Sequence, residues 1–232
     1  MYRNELEVYL NQLLEIPRFR DYCPNGLQVE GKDNIQTVIS GVTASLDLLQ
    51  AAAAANADAI VVHHGYFWKG ENQTICHMKQ QRIKALLAHD INLYAYHLPL
   101  DVHPTLGNNA QLAERLGITN VKALDTKPDG VLMRGEFVEG ISATELVNRV
   151  EQSLQRKPIV LGNGLTNVPD AQHSQLAVDD QGQQPAEHAE RGELLHAARL
   201  ARLHALAPRS ARLMRLRPRV TSLDQRPRQL NH

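Results

Sequence analysis

DAIVVHHGYFWKG, residues 58–70, is the stretch that decides how this chain is read. An apolar run, Ala59 to Val62, ends abruptly in two adjacent histidines, His63 and His64, and a glycine follows. A short apolar run rich in β-branched residues reads as a buried strand. TVISGV (37–42) is a second run of the same kind, and INLYAYHL (91–98) is a third. Between them lie segments of helical character. Leu46 to Asn56 carries five alanines and is a strong helix former. Met78 to His89 has helical spacing through Ile83, Leu86 and Leu87. Asn109 to Leu116 reads as a helix with Asn108 as its N-cap and Gly117 as its stop. Arg3 to Leu14 carries a stripe of Leu6, Tyr9, Leu10, Leu13 and Leu14, and Ile141 to Leu154 adds a further helix. Strand and helix in alternation predict an α/β fold with a mainly parallel sheet flanked by helices.

Composition limits the function classes. The chain has 232 residues, 43% of them hydrophobic, and a formal net charge of zero. That supports a real core and supplies no global field for nucleic acid or an anionic membrane. The apolar runs fall short of the roughly 20 residues that span a bilayer. The opening MYRNELEVYL lacks a basic-then-apolar leader pattern. Two cysteines without CxxC spacing, Cys23 and Cys76, read as reduced thiols. The expectation is a soluble cytoplasmic protein.

The composition changes near residue 160. All aromatic residues, both cysteines, all seven lysines and every isoleucine fall at or before Ile159, whereas Val160 to His232 holds ten arginines and no lysine. The chain therefore divides into an α/β domain, 1–162, and an atypical tail rich in Arg, Ala and Gln, 163–232. The tail reads as lacking apolar strands and as mostly disordered, its one helical stripe running through ERGELLHAARLARLHAL (190–206). A region translated in a shifted reading frame would show the same abrupt switch.

In an open α/β sheet, ligands gather beyond the carboxyl ends of the strands. His63 and His64 follow one such end, His97 lies at the end of the next strand, and Asp101 is four residues on. Three imidazoles and a carboxylate suit zinc, manganese, iron or cobalt better than calcium or magnesium. Neighbouring residues point in different directions, so His63 and His64 are expected to serve two ions rather than one, with Asp101 bridging them. Such a pair activates a water as nucleophile and clamps both ends of a displacement. His77, His89 and His103 read as surface residues, and Phe67 and Trp68 as loop packing rather than a base-stacking pair. No P-loop, GxGxxG or GxSxG motif occurs.

PNGLQVEG (24–31), SGVTAS (40–45), VVHHGYFWKG (61–70), NLYAYHLPLD (92–101) and Gly107 to Asn109 together resemble the Nif-three-like dinuclear-metal family. Its bacterial members are known as GTP cyclohydrolase I type 2 homologues, and the likeness is to the YbgI type over residues 1 to about 163. The resemblance implies an α/β protomer, two divalent transition-metal ions held by His63, His64, His97 and Asp101, and a cytoplasmic homohexamer. It implies a metal-dependent hydrolase acting on a nucleotide-like or small phosphorylated substrate. The alternative is a non-catalytic metal-binding scaffold or interaction protein. Family members complete the site near the C-terminus with a motif like HHATERGG, and none occurs here. EHAERGE (187–193) is no substitute, since His188 and Glu190 are two residues apart rather than four. The expectation is a half-built site, with activity impaired.

Overall fold

The computed structural model describes residues 1–123 and 131–160, together with the backbone of Arg212–Arg215. The segments at 190–206 and 187–193 singled out above lie outside the described residues.

Helix α1 (Arg3–Leu13) leads through a 3-10 turn (Ile16–Arg18) to strand β1 (Gly26–Val29). Strand β2 (Thr37–Ser40), helix α2 (Leu46–Ala54), strand β3 (Ala59–Val62), helix α3 (His77–Ala88) and strand β4 (Asn92–Ala95) follow in alternation. Then come two helices, α4 (Leu98–Val102) and α5 (Asn108–Leu116), a hairpin-like pair, β5 (Thr119–Ala123) and β6 (Met133–Glu136), and helix α6 (Ala143–Leu154). The main sheet has the order β1-β4-β3-β2-β7, where β7 is Arg212–Arg215. Pairs β2–β3 and β3–β4 are parallel, while β1 and β7 add antiparallel edges. The fold is mixed α/β, parallel at its centre and flanked by helices, as the alternation requires.

Period-two alternation sorts the strand side chains onto two faces. Ile39, Ile60, Val62, Leu93 and Ala95 join α2 and α3 residues such as Leu48, Leu49, Ile83 and Leu86 in one core. Val38, Ala59, Tyr94 and Tyr96 face the other way, against Leu6 and Leu14 beside α1. Helices therefore cover both faces, and the central strand β3, AIVV, is apolar throughout because neither face meets water. A separate small core unites α5, α6 and the β5–β6 pair through Leu112, Leu116, Ile118, Phe137 and Ile141.

Four expectations need correction. Strand β4 is shorter than 91–98: its register with β3 ends at Val62↔Ala95, the last ladder bond being Tyr96 N–H to the Val62 carbonyl at 3.0 Å. Pro99 stands in the first turn of α4, where a missing amide donor costs nothing. Asn108 does not cap α5; Gly107 is the N-cap and Asn108 is buried inside the first turn, while Gly117 closes the helix at φ 73° as expected. Strand β1 and the β5–β6 pair have no counterpart in the alternation. The tail contains a strand after all, since Arg212–Arg215 pairs with β2 from Thr37↔Arg215 to Ser40↔Arg212; backbone pairing at a sheet edge needs no apolar pattern.

Candidate metal centre

Beyond the last residue of β3 the chain turns sharply. The amides of His63 and His64 both donate to the Val42 carbonyl, at 3.0 and 2.8 Å, which ties the histidine pair to the end of β2. Gly65 is needed there because a Cβ would run into Gln28 and Ala95. His97 leaves the end of β4 as the N-cap of α4, and Asp101 lies one turn along. The Asp101 amide donates to the His97 carbonyl at 3.2 Å. Residues four apart on a helix share a face, so α4 delivers both side chains to one place.

The three rings converge. Centroid separations are 4.5 Å for His63–His64, 5.0 Å for His63–His97 and 5.7 Å for His64–His97. One ligating nitrogen from each lies within 4.8 Å of the others. The turn after Val62 folds both adjacent rings toward one cluster, tilted 46° to each other. Asp101 and His63 are almost wholly buried, with Asp101 Oδ1 3.6 Å from His63 Nε2. Donors on one ion with bonds of about 2.0–2.1 Å stand roughly 3.3 Å apart in tetrahedral geometry. The cluster thus fits a small transition-metal ion with minor adjustment.

Each imidazole is oriented through Nδ1. His63 Nδ1–H donates to the Tyr96 carbonyl at 3.0 Å, His97 Nδ1 meets Asp21 Oδ1 at 2.7 Å, and His64 Nδ1 stands 3.4 Å from the Thr43 hydroxyl. For His63 and His97, whose partners are a carbonyl and a carboxylate, this puts the hydrogen on Nδ1 and the lone pair on Nε2. Asp101 is in turn held by the buried Asn108 amide, which donates to Oδ1. Trp68 closes one side, its ring 4.9 Å from His97 and 5.9 Å from His64 in edge contacts. Phe67 instead packs against the core beside Tyr66, so only Trp68 of the aromatic pair reaches the cluster.

Pattern reasoning missed Asp21, Asn108 and Thr43. Asp21 lies 76 residues from His97 in the chain and belongs to no periodic segment; PNGLQVEG, just downstream, was the nearest signal. Burial alone would raise the Asp21 carboxyl. The hydrogen bond and attraction from His97, with the Asn25 amide and the Leu98 N–H, outweigh it and hold Asp21 below the ordinary carboxylate value. Cys23 is close enough to Asp21 and His97 to be a further donor, but burial and the Asp21 charge push its thiol up to about 12. Of the remaining histidines, His77 and His89 are exposed. His103 is half-buried and its Nδ1 accepts from the Leu106 amide at 3.0 Å.

A family profile described as Duf34/NIF3 (NGG1p interacting factor 3) matches residues 1–178. The chain belongs to the Duf34/NIF3 family. It is 52% identical over 155 residues to the GTP cyclohydrolase 1 type 2 homolog of Vibrio cholerae, covering 67% of this chain and 62% of that one. The corresponding protein of Escherichia coli strain K12 is 50% identical over 163 residues, covering 70% and 64%. The solved structure of protein ybgI, described as of unknown function, superposes with a TM-score of 0.65 at 51% identity, over 68% of this chain and 63% of that one. A structure from Thermus thermophilus superposes with a TM-score of 0.62 at 35% identity, over 68% and 64%. The chain thus spans less than two thirds of the length of these Duf34/NIF3 relatives. Among the described residues, no helix is long and apolar enough to cross a membrane.

Proposed function

We propose that this Duf34/NIF3 chain carries the metal-holding part of a dinuclear-metal hydrolase acting on a nucleotide-like or other small phosphorylated substrate. The observation that carries the reading is the convergence of His63, His64 and His97, their ligating nitrogens within 4.8 Å, around the buried Asp101. These four residues would hold two divalent transition-metal ions, of zinc, manganese, iron or cobalt. When bound, such ions supply Lewis-acid polarisation and an activated water. The chain's own part is orientation. Tyr96, Asp21 and Thr43 direct the imidazoles, Asn108 holds the carboxylate, and the two oxygens of Asp101 allow it to be shared between ions. The name carried by the curated relatives supports a nucleotide as the first substrate to test. We further propose a cytoplasmic homohexamer.

The test combines metal analysis of the purified protein with turnover of a nucleotide panel. Metal-dependent turnover that His64→Ala abolishes would support the hydrolase. Equal metal content in the wild type, His63→Ala and Asp101→Ala would sink the metal centre. A second reading, a non-catalytic metal-binding scaffold, is favoured by one observation: the described residues supply four donors for two ions, without the histidine and glutamate that the resemblance implies. Metal binding without turnover of any nucleotide, with partner proteins retained by His64→Ala, would select it.

A further inference from the structure

We propose that Asp21 is a positioning residue for His97. It holds the imidazole as its Nδ1–H tautomer and so presents Nε2 to the cluster of His63, His64 and Asp101. The inference rests on the metal-centre reading above and goes beyond it, because it assigns control of one ligand to a loop outside the strand ends. The Asp21 side chain is only 3% exposed, yet it accepts four hydrogen bonds: from the Tyr22 amide at 2.6 Å, His97 Nδ1 at 2.7 Å, the Leu98 amide at 2.8 Å and the Asn25 side-chain amide at 2.9 Å. Asn25 completes the grip, its Oδ1 accepting from the His97 backbone amide at 2.7 Å. Asp21 and Asn25 thus seize both the backbone and the ring of His97, at the point where β4 gives way to α4.

The chemistry follows from what a carboxylate can accept. An ionised Asp21 has no proton to give, so a 2.7 Å contact with Nδ1 requires that nitrogen to carry the hydrogen. Nε2 then carries the lone pair, which is the form a metal ion binds. Free imidazole distributes its proton between the two nitrogens and rotates. The buried carboxylate removes both freedoms before any ion arrives. Cys23, beside the same pair, does not compete for this role, since a buried thiol next to a carboxylate stays protonated.

Two measurements on the full chain test the proposal. Long-range nitrogen–proton NMR of metal-free protein, above the ordinary histidine pKa of about 6.5, reads the His97 tautomer. Competition between the protein and a chromophoric chelator for cobalt reads affinity. In the wild type His97 should carry its proton on Nδ1. In Asp21→Ala the ring should become a mixture of tautomers, with cobalt affinity falling roughly 10–100-fold and Asp21→Glu recovering part of the loss. Asp58→Ala serves as the control for a merely structural carboxylate. Asp58 also accepts two backbone amides but lies at the opposite end of β3, so its loss should lower the melting temperature and leave cobalt affinity unchanged. A wild-type His97 protonated on Nε2, or Asp21→Ala retaining both tautomer and affinity, overturns the proposal. If wild-type protein binds no cobalt while the tautomer still switches in Asp21→Ala, the metal-centre reading fails and the positioning role stands.

Discussion

The two ends of strands β3 and β4 both carry buried polar groups, and they use them in opposite ways. At the amino ends, Asp58 Oδ2 accepts from the Gln36 and Thr37 amides at 3.0 Å each, and Oδ1 pairs with Lys32 at 3.0 Å. Asn92, fully buried, donates to the Lys32 and Asp58 carbonyls and accepts from the Gly31 amide. The partners there are mostly backbone groups that cannot move. At the carboxyl ends, three imidazoles and Asp101 bring their ligating atoms toward one another instead. Saturation by fixed backbone marks a structural cluster, and convergence of donor atoms marks a chemical one. The same polarity holds widely in α/β sheets, where ligands gather beyond the carboxyl ends.

That contrast can be broken by mutation, and the largest effect is expected at Asp101. In the proposed two-metal centre, removing the carboxylate would expose two cations to each other without an anion between them. Asp101→Ala should therefore lower metal affinity by at least the roughly 100-fold at the upper end for a lost supporting contact, with folding retained. Metal analysis beside circular dichroism checks both halves, and undiminished metal content would erase the distinction between the two ends.

Asn92→Ala should do the reverse. It strips three hydrogen bonds from a buried position and leaves the Gly31 amide and the Lys32 carbonyl in need of partners, while the Asp58 carbonyl keeps only the residue-92 backbone amide. The expected cost is about 2–4 kcal/mol, seen as a fall of several degrees in melting temperature, with cobalt affinity unchanged. A loss of affinity would mean that the amino-end cluster also supports the site.

Acid should find the structural end through Asp58. Burial alone would raise this carboxyl, but the Gln36 amide, Lys32 and the Thr37 amide together hold it below its ordinary value of 3.8. A carboxyl whose pKa is lower in the folded protein contributes stability that is fully present above its unfolded value. That contribution is lost as pH falls through the lower folded value. Asp58→Asn should therefore destabilise the protein at neutral pH and flatten the wild-type loss of stability below about pH 4. Chemical denaturation across that range is the measurement, and parallel curves for the two proteins would count against the assignment.

The smallest effect is optical. Trp68 is the chain's single tryptophan and touches His97 and His64 edge-on. Cobalt binding should quench its fluorescence in the wild type and leave it unchanged in His64→Ala and His97→Ala. Equal quenching in all three would place the ion elsewhere.

Much of the fold was legible because it rests on local pattern. The apolar runs at 37–40, 59–62 and 92–95 and the helices between them follow from periodicity and alanine content. His63, His64, His97 and Asp101 could be grouped because each stands at or just after a strand end. Strand β1 was not legible: GLQV has no clear alternation and becomes a strand by pairing antiparallel with β4. Asn108 has the residue type of a helix cap, yet its side chain is turned inward to Asp101. Asp21 carried no local mark at all. Its role exists only because the chain folds it against a turn 76 residues away.

The sequence by itself determined the order of elements, the two-faced apolar pattern of the central strands and the presence of metal-ligating residue types at their ends. These depend on side-chain spacing within a few residues, which the backbone period converts directly into faces. Only the tertiary structure decided that adjacent histidines share one cluster, that α4 begins where β4 stops pairing, and which atoms hold each ring. Those outcomes depend on hydrogen bonds between distant segments, and no local period encodes the partner of a carboxylate that far along the chain.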